Sequence, residues 1–455
     1  MKKSQQDMLQ GPLFSGIISY AVPIILTSVL QLLFNTMDIV VVGRFCGSIS
    51  VAAVSNTAEL INLITTLFIG LSVGTGVSVA HALGGHQEQT VHKIVHTALP
   101  LAVISGFILT AVGVMYADSF LKLMNTPENV LPLSGIYMKI YFAGITFSMI
   151  YNFSASILRA AGDTKGPLVY LLVAGVINVA LNVVFVTIFH MDVAGVALAT
   201  IISQGVSAAL VVAALMRRTD ACKLMLNRIR LYKPQLLKMI KLGLPAGLQG
   251  ALFGISNVII QSSINSFGDV LMSGNGAAAN IEGFIFFAFN AFYETAVNYT
   301  GQNAGANQYN RIRKIYAICL VCSLTITLGL SLLVYGFGRQ LLGIYITDSP
   351  EAIEHGMVRL GYVCLLYFLC TPQHITTGVL RGMGASLSPM LISVLGICGF
   401  RLAWIYTVFQ IPQYHTPQCL YLSYVVSWII TFIILLVAFL AVYRKRVKQS
   451  MMHLK

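Results

Sequence analysis

Long apolar stretches recur along the whole chain, and short polar segments separate them. A helix that crosses a bilayer needs about 20 largely apolar residues. When the sequence is divided at its charge and Gly/Pro clusters, it predicts twelve spans, near residues 15–42, 51–82, 94–116, 132–157, 167–189, 192–216, 241–267, 274–300, 315–337, 356–379, 389–410 and 418–443. The pattern therefore predicts an all-α polytopic membrane protein with twelve transmembrane helices.

The composition agrees with a chain that lies mostly in lipid. Of 455 residues, 57% are apolar and 9% are charged, whereas a soluble domain averages about 25% charged residues. This small number of charges cannot cover a solvated surface. We therefore expect the lipid bilayer to be the main environment of the chain.

The positive charge is distributed by loop. The net charge is +13 and the chain has 28 Lys and Arg, of which 22, including Arg381, fall in segments on the side of Met1. Five fall on the other side, namely Arg44, Lys122, Lys139, Arg339 and Arg359, and Arg401 lies within a span. This is the positive-inside pattern. It predicts that both termini are cytoplasmic, and it indicates that the basic residues orient the chain in the membrane instead of binding nucleic acid.

The eight cysteines and the first apolar segment indicate no special processing. The cysteines are scattered through apolar segments, so we expect no disulfide framework. Cys319 and Cys322 form a CxxC pair inside a predicted span without His or a second pair, which favours buried thiols over a metal or redox site. The first apolar segment has no small-residue cleavage site, so it is interpreted as helix 1 and not as a signal peptide.

The chain divides into two similar halves. Its most charged interior segment predicts a cytoplasmic linker at 217–240 between an N-terminal lobe, 1–216, and a C-terminal lobe, 241–455. LRAAGDTKGP at 158–167 returns as LRGMGASLSP at 380–389, and Pro23 corresponds to Pro245, both shifted by 222 residues. With six helices in each half, both copies enter the membrane from the same side. Parallel repeats of this kind are a transporter architecture.

A carboxylate within a span is a candidate functional residue by default. An ionisable side chain at mid-bilayer costs about 2.5–3.5 kcal/mol on the insertion scale. Asp38 is the only charged residue between Asp7 and Arg44, and the polar residues Asn35 and Thr36 lie beside it. These neighbours favour an inward polar face over the alternative, an interfacial Asp near the end of helix 1.

Two asparagines and a threonine could complete a site around Asp38. Asn178 and Asn182 have i,i+4 spacing and so share one face of helix 5, and Thr200 lies in an apolar run of helix 6. Amide and hydroxyl oxygens beside a carboxylate suit Na⁺ or a shuttled proton, although interhelical amide packing is an alternative for the asparagines. The repeat places apolar residues at all four equivalent positions, Ile260, Phe400, Trp404 and Leu422. This contrast favours a site in the first half.

The second half has polar candidates of its own: Glu282, Glu294, His374 and Arg401. A buried Arg needs a partner, and Glu282 or Glu294 is the most economical partner for Arg401. The alternative is substrate contact. His374 could titrate near neutral pH, but a hydrogen-bonded packing histidine is favoured.

The sequence contains no HExxH, GxSxG or Walker A motif. Metalloprotease chemistry and ATP hydrolysis therefore have no support, and we expect neither enzyme activity nor a bound cofactor. An ion gradient would then drive any uphill transport.

A resemblance to a known family is carried by FNTMDIVVVG in helix 1, by the loop LRAAGDTKGP with its second copy, and by VNYTGQNAGA at the end of helix 8. The chain resembles the multidrug and toxic compound extrusion (MATE) family of bacteria over nearly its whole length. The resemblance implies a V-shaped pair of six-helix bundles that exports small cationic amphipathic compounds in exchange for Na⁺ or H⁺. It implies that Asp38 binds the coupling ion with Asn178, Asn182 and Thr200. Phe253 stands where some members have a helix 7 Glu, and no Asp occurs near Thr371 to His374, so the first half is expected to carry the coupling.

Two other functions were weighed against this one. A lipid-linked saccharide flippase of related architecture would line its cavity with several Arg or Lys, and Arg401 is the only cation predicted within a span. A non-transporting receptor or scaffold would leave the Asp38 group unexplained. The expected assembly is a monomer.

Overall fold

The structure is a computed structural model that describes residues 7–124, 126–346 and 349–453, without the side chain of His453. Helices account for the regular secondary structure of this described part, and no strand occurs in it. The first six helices are α1 (Leu13–Phe45), α2 (Ser48–Gly84), α3 (Glu88–Leu123), α4 (Leu131–Ala160), α5 (Lys165–Val183) and α6 (Asp192–Arg217). A π-helical turn, Val184–Ile188, follows α5.

The second half contains more and shorter helices. These are α7 (Lys233–Asn265), α8 (Asp269–Gly305), α9 (Tyr309–Gly336), α10 (Gly338–Tyr345), α11 (Pro350–Arg359), α12 (Thr371–Gly382), α13 (Leu387–Ser393), α14 (Phe400–Tyr406) and α15 (Pro417–His453). The predicted tenth and eleventh spans are therefore not regular α-helices. A π-turn at Leu360–Cys364 and a 3₁₀ turn at Tyr367–Leu369 separate α11 from α12, and a π-turn at Val394–Gly399 separates α13 from α14.

Eleven helical stretches of the described chain are long and apolar enough to cross a membrane. The predicted eighth span, 274–300, is not among these eleven; it corresponds to α8, whose 37 residues would extend for about 55 Å. Its polar side chains, Asn275, Glu282 and Glu294 among them, lower its apolar content. The chain is therefore an all-helical multi-pass membrane protein.

The helices form two compact units. The first comprises residues 22–248 with Asp7, and the second comprises residues 8–21 and 249–453 of the described chain. Thus α1 divides between the units at Ala21 and Val22, and α7 divides at Leu248 and Gln249. Each unit has its own apolar core. The lobe boundaries given by the sequence stay a prediction.

Glycines allow α2 and α7 to approach closely within the first unit. A Cβ atom on Gly70 would overlap the backbone of Gly247, and one on Gly74 would overlap the backbone of Met239 and Gly243. Small residues four apart on both helices are the usual basis of such backbone contact within a membrane. This packing fixes the first part of α7 against the first unit.

The predicted linker packs on the start of α3. Met225 N donates a hydrogen bond of 3.0 Å to His96 Nε2, and Tyr232 N donates one of 3.2 Å to Thr97 Oγ1. His96 Nδ1 lies 2.7 Å from the backbone oxygen of His92. Because Nε2 accepts, Nδ1 carries the proton in this arrangement.

Candidate functional site

Asp38 lies in the interior of the first unit. Only 7% of the residue is exposed, although Asn35 and Thr36, less than a turn earlier on α1, are exposed. The Thr36 hydroxyl donates to the backbone oxygen of Leu32 instead of extending the polar group. The proposed inward polar face of α1 was therefore wrong for these two neighbours, and Asp38 alone is buried.

The three predicted partners of Asp38 all lie beside it. Asn182 Nδ2 donates a hydrogen bond of 2.5 Å to Asp38 Oδ1, and Thr200 Oγ1 lies 3.5 Å from Oδ2. Asn178 Nδ2 donates to Thr200 Oγ1 at 3.3 Å, and its oxygen accepts from Asn182 Nδ2 at 3.3 Å. Residues distant in sequence thus form one polar group from α1, α5 and α6.

Helix periodicity explains how α5 contributes two amides. Asn178 and Asn182 are four residues apart, so both project from the face that meets α1 and α6. The π-turn at Val184–Ile188 begins two residues after Asn182. Such turns are frequent at functional sites because they leave the regular hydrogen-bond ladder.

The group has unused acceptor capacity and an uncompensated negative charge. The Oδ1 atom of buried Asn182 has no hydrogen-bond partner in the described chain. Nor does any basic side chain of that part lie within ion-pair distance of Asp38. A buried carboxylate is normally paired with a cation. A cation of hard-oxygen preference would meet both needs.

Two tyrosines of α4 were not predicted from the sequence. Tyr137 and Tyr141 lie within electrostatic range of the Asp38 carboxylate, and the Tyr141 hydroxyl hydrogen-bonds to Gln204 of α6. Their rings stack with centroids 6.3 Å apart. Tyr at i and i+4 on one helix face, between buried glycines, is a sequence signal that could have indicated them.

In the second unit, Glu282 binds Arg359 and not Arg401. Arg359 Nε donates to Glu282 Oε1 at 3.1 Å and Nη2 donates to Oε2 at 2.8 Å, in a bidentate pair. The sequence counted Arg359 on the outer side, and the structure places it as the buried last residue of α11, nine residues after that helix begins. Ser349 caps α11 by accepting from Ala352 N, with Pro350 in the first turn.

Two further side chains complete the surroundings of this ion pair. Arg359 Nη1 donates to Asn275 Oδ1 at 2.8 Å, and the Tyr421 hydroxyl donates to the same oxygen at 3.1 Å. The remaining buried donors and acceptors of the pair are thus largely satisfied. The pair therefore leaves no net charge in this buried group.

Arg401 has a different environment from the one predicted. Its Nε donates to Ser427 Oγ at 3.0 Å, and its guanidinium carbon lies 4.0 Å from the centroid of Tyr424 and 6.0 Å from that of Trp428. Neither Glu282 nor Glu294 forms an ion pair with it. The expected carboxylate partner is therefore replaced by two aromatic faces and a hydroxyl.

Arg381 is also buried, at the end of α12. It donates to the Tyr293 hydroxyl and, at 2.8 Å, to Gln249 Oε1. With Arg359 and Arg401, the described part of the second unit has three buried arginines. The premise that Arg401 is the only cation within a span, used against a flippase, was therefore wrong.

The other two candidates of the second half lie apart from Arg401's hydrogen bonds. Glu294 is half-buried on α8, where its backbone oxygen accepts from Asn298 Nδ2 at 2.9 Å. His374 Nδ1 lies 3.2 Å from Cys370 O, and its ring packs edge-on against Phe289 with centroids 5.0 Å apart. The histidine has the contacts of a hydrogen-bonded packing residue.

No group of three or more His, Cys, Asp or Glu able to hold a metal occurs among the described residues. Cys319 and Cys322 are buried free thiols.

Comparison with known families identifies the chain. The MatE family model matches residues 23–184 and again 245–407. The chain belongs to the MatE family. The two matches begin 222 residues apart, which is the offset of the repeated segments in the sequence.

Relatives of this MatE protein include named multidrug proteins. The probable multidrug resistance protein YpnP of Bacillus subtilis is 27% identical over 395 residues, which cover 87% of this chain and 88% of that protein. The multidrug export protein MepA of Staphylococcus saprophyticus is 21% identical over 391 residues, with 85% and 86% covered. The MatE protein described here is accordingly a membrane transporter and not an enzyme.

Solved structures share the fold. A MOP superfamily transporter from Pyrococcus furiosus matches with a TM-score of 0.90 at 18% identity, over 97% of this chain and 98% of that one. The MATE transporter VcmN of Vibrio cholerae, in its bent form, matches with a TM-score of 0.86 at 21% identity, over 95% and 98%.

Proposed function

We propose that this protein is a secondary antiporter that exports amphipathic organic cations in exchange for Na⁺ or H⁺. The observation that carries the proposal is the buried carboxylate of Asp38, held by Asn182 and Thr200 and without a basic partner in the described chain. A charge in that position is tolerable when a cation neutralises it. The names of the multidrug relatives support the substrate class.

Competition for one negative charge supplies the coupling. When Asp38 holds the coupling ion, it no longer attracts a cationic substrate, and release of the ion restores that attraction. A ligand shifts a conformational equilibrium only through different affinities for the two states. Exchange therefore requires that the ion and the substrate favour opposite-facing states at the same carboxylate.

The oxygen atoms beside Asp38 fit Na⁺ as transported ion. Asn182 Oδ1 is buried and has no partner in the described chain, and Asp38 and Thr200 add carboxylate and hydroxyl oxygens. Na⁺ prefers such hard ligands. A proton on Asp38 would neutralise the same charge, so Na⁺ and H⁺ both remain in the proposal.

Gradient-driven dye export from membrane vesicles tests this function. The wild type is loaded with an ethidium-type cation and given a pH gradient, then a Na⁺ gradient, in separate experiments. Asp38→Asn should abolish export under whichever gradient drives the wild type. Asp118→Asn is a matched control, because Asp118 is half-exposed and pairs with Lys139 at 2.6 Å. Full export by Asp38→Asn would refute the coupling role.

We also propose a monomer in a bacterial cytoplasmic membrane, with both termini cytoplasmic. The uneven distribution of Lys and Arg supports this orientation. Labelling of single introduced cysteines from either side of the membrane tests the orientation, and mass photometry in nanodiscs tests the assembly.

A further inference from the structure

Buried charges of the second unit do not balance. Arg359 is neutralised by Glu282 through two hydrogen bonds. Arg401 is 5% exposed, and no carboxylate of the described chain lies within ion-pair distance of it. An ion removed from water without a counter-ion has a free-energy cost of several kcal/mol. Arg381 has no carboxylate partner in the described chain either, but its terminal nitrogens donate to Tyr293 and Gln249, so Arg401 is the buried arginine whose charge is least compensated.

Aromatic faces compensate part of this charge. Tyr424 lies 4.0 Å from the guanidinium carbon, close enough for a strong cation–π interaction, and Trp428 lies at 6.0 Å. Tyr424 also lies 5.8 Å from the guanidinium carbon of Arg359. The Tyr424 ring thus interacts with two guanidinium groups, which weakens its cation–π interaction with each of them.

Most hydrogen-bond donors of Arg401 are unused. Its Nε donates to Ser427 Oγ, whereas Nη1 and Nη2 donate to no protein atom in the described part of the chain. Neither nitrogen is enclosed away from solvent without a partner. Both terminal nitrogens of the guanidinium therefore keep N–H groups from which a ligand can accept hydrogen bonds.

We infer that Arg401 binds an anionic group, a carboxylate, on an amphipathic compound that the transporter handles. The planar guanidinium matches a carboxylate in a bidentate arrangement. A monoanion is indicated because Arg401 carries one positive charge and both of its terminal nitrogens lack a protein acceptor in the described chain. Tyr424, which is half-buried, adds an aromatic face beside the guanidinium.

This inference refines the proposed function, since it adds an anionic group to the cationic substrate class, and its transport consequence rests on that function. Binding of the carboxylate at Arg401 does not depend on the proposed antiport function. Compounds that carry a carboxylate besides their cationic group should bind better than their esters, which lack the negative charge.

A matched pair of dyes provides the test. Rhodamine B and its ethyl ester differ by the charge of one carboxyl group. Fluorescence anisotropy with wild-type protein in neutral-lipid nanodiscs should give a Kd about ten-fold lower for the acid, since hydrogen bonds to charged groups contribute about 1.5–3 kcal/mol. The two Trp of the chain are Trp404 and Trp428. In a Trp404→Phe background, quenching of Trp428 by the acid would report its position.

Three variants separate charge from structure. Arg401→Gln should bring the two Kd values together while the ester's Kd stays within two-fold of wild type. Ser427→Asp supplies an internal counter-ion at the atom that Arg401 contacts, so it should also remove the preference in a stable protein. Ser427→Asn, of equal size and uncharged, should keep it.

Equal Kd values in the wild type would overturn the inference, as would an unchanged preference in Arg401→Gln or Ser427→Asp. If Arg401→Gln fails to fold, Ser427→Asp decides the matter. Asp38→Asn separates the two proposals: it should lose gradient-driven export while keeping the preference for the acid. A wild type that prefers the acid but exports no dye would refute the antiport function alone.

Discussion

The amide nitrogen of Asn182 donates to Asp38 Oδ1 and to Asn178 Oδ1 at once. This pair of bonds fixes the orientation of the Asn182 amide, because rotation would place its oxygen against the carboxylate. Its own Oδ1 is thereby left as a buried acceptor without a partner in the described chain. The arrangement prepares an oxygen-rich position beside a charge.

Replacing Asn182 should weaken binding of the coupling ion more than replacing Asn178. Asn182→Leu removes a direct hydrogen bond to the carboxylate together with the unpartnered oxygen, whereas Asn178→Leu removes a group that reaches Asp38 only through Thr200 or Asn182. Hydrogen bonds to charged groups contribute about 1.5–3 kcal/mol. The ion concentration for half-maximal export should rise about ten-fold or more for Asn182→Leu and less for Asn178→Leu.

Dye export at varied Na⁺ or pH in vesicles measures both values. Equal effects of the two substitutions would show that Asn182 supplies packing and not a ligand oxygen.

Breaking the Glu282–Arg359 pair should destabilise the second unit strongly. Glu282→Gln leaves the buried guanidinium of Arg359 without its counter-ion, which costs about 3–5 kcal/mol. Thermal denaturation in detergent, followed by fluorescence-detected size exclusion, should show a large drop in midpoint. The double variant Glu282→Gln with Arg359→Gln should recover part of the loss, because no buried charge is then left unpaired.

The ion pair between Arg339 and Glu354 is a matched control. Its side chains are 69% and 59% exposed, with Nε and Oε1 3.0 Å apart. Exposed pairs contribute about 0–1 kcal/mol. Glu354→Gln should therefore hardly change the midpoint. A similar drop for both substitutions would contradict the assignment of Glu282 as a structural partner.

Sequence reasoning identified the Asp38 group because its signals are local. An Asp inside an apolar helix is rare, and Asn178 with Asn182 follows helical periodicity. A single sequence does not show which helices pack against each other, and for this reason the partner of Arg401 was misassigned. Packing explains the error, since α15 brings Tyr424 and Ser427 to Arg401 whereas α11 brings Arg359 to Glu282.

Helix interruptions were missed for a similar reason. The π-turns at Leu360–Cys364 and Val394–Gly399 occur in apolar sequence without Pro, so no proline marks the interruption. The start of α11 had a readable signal, because Ser349 before Pro350 is a favoured cap and first-turn pair. Using it would have started the tenth helical stretch at Pro350 instead of residue 356, with Arg359 well inside it.

Close packing of α2 on α7 gives a last prediction about stability. A methyl group on Gly70 would overlap the backbone nitrogen of Gly247, and backbone atoms cannot rotate away as a side chain does. Overpacking costs about 1–3 kcal/mol or more. Gly70→Ala should thus lower the thermal midpoint by several degrees. Gly205→Ala is the control within the same unit, because its added Cβ would lie 3.8 Å from the Phe147 ring, an ordinary contact. If Gly70→Ala matched Gly205→Ala in stability, the backbone contact between α2 and α7 would not exist in the folded protein.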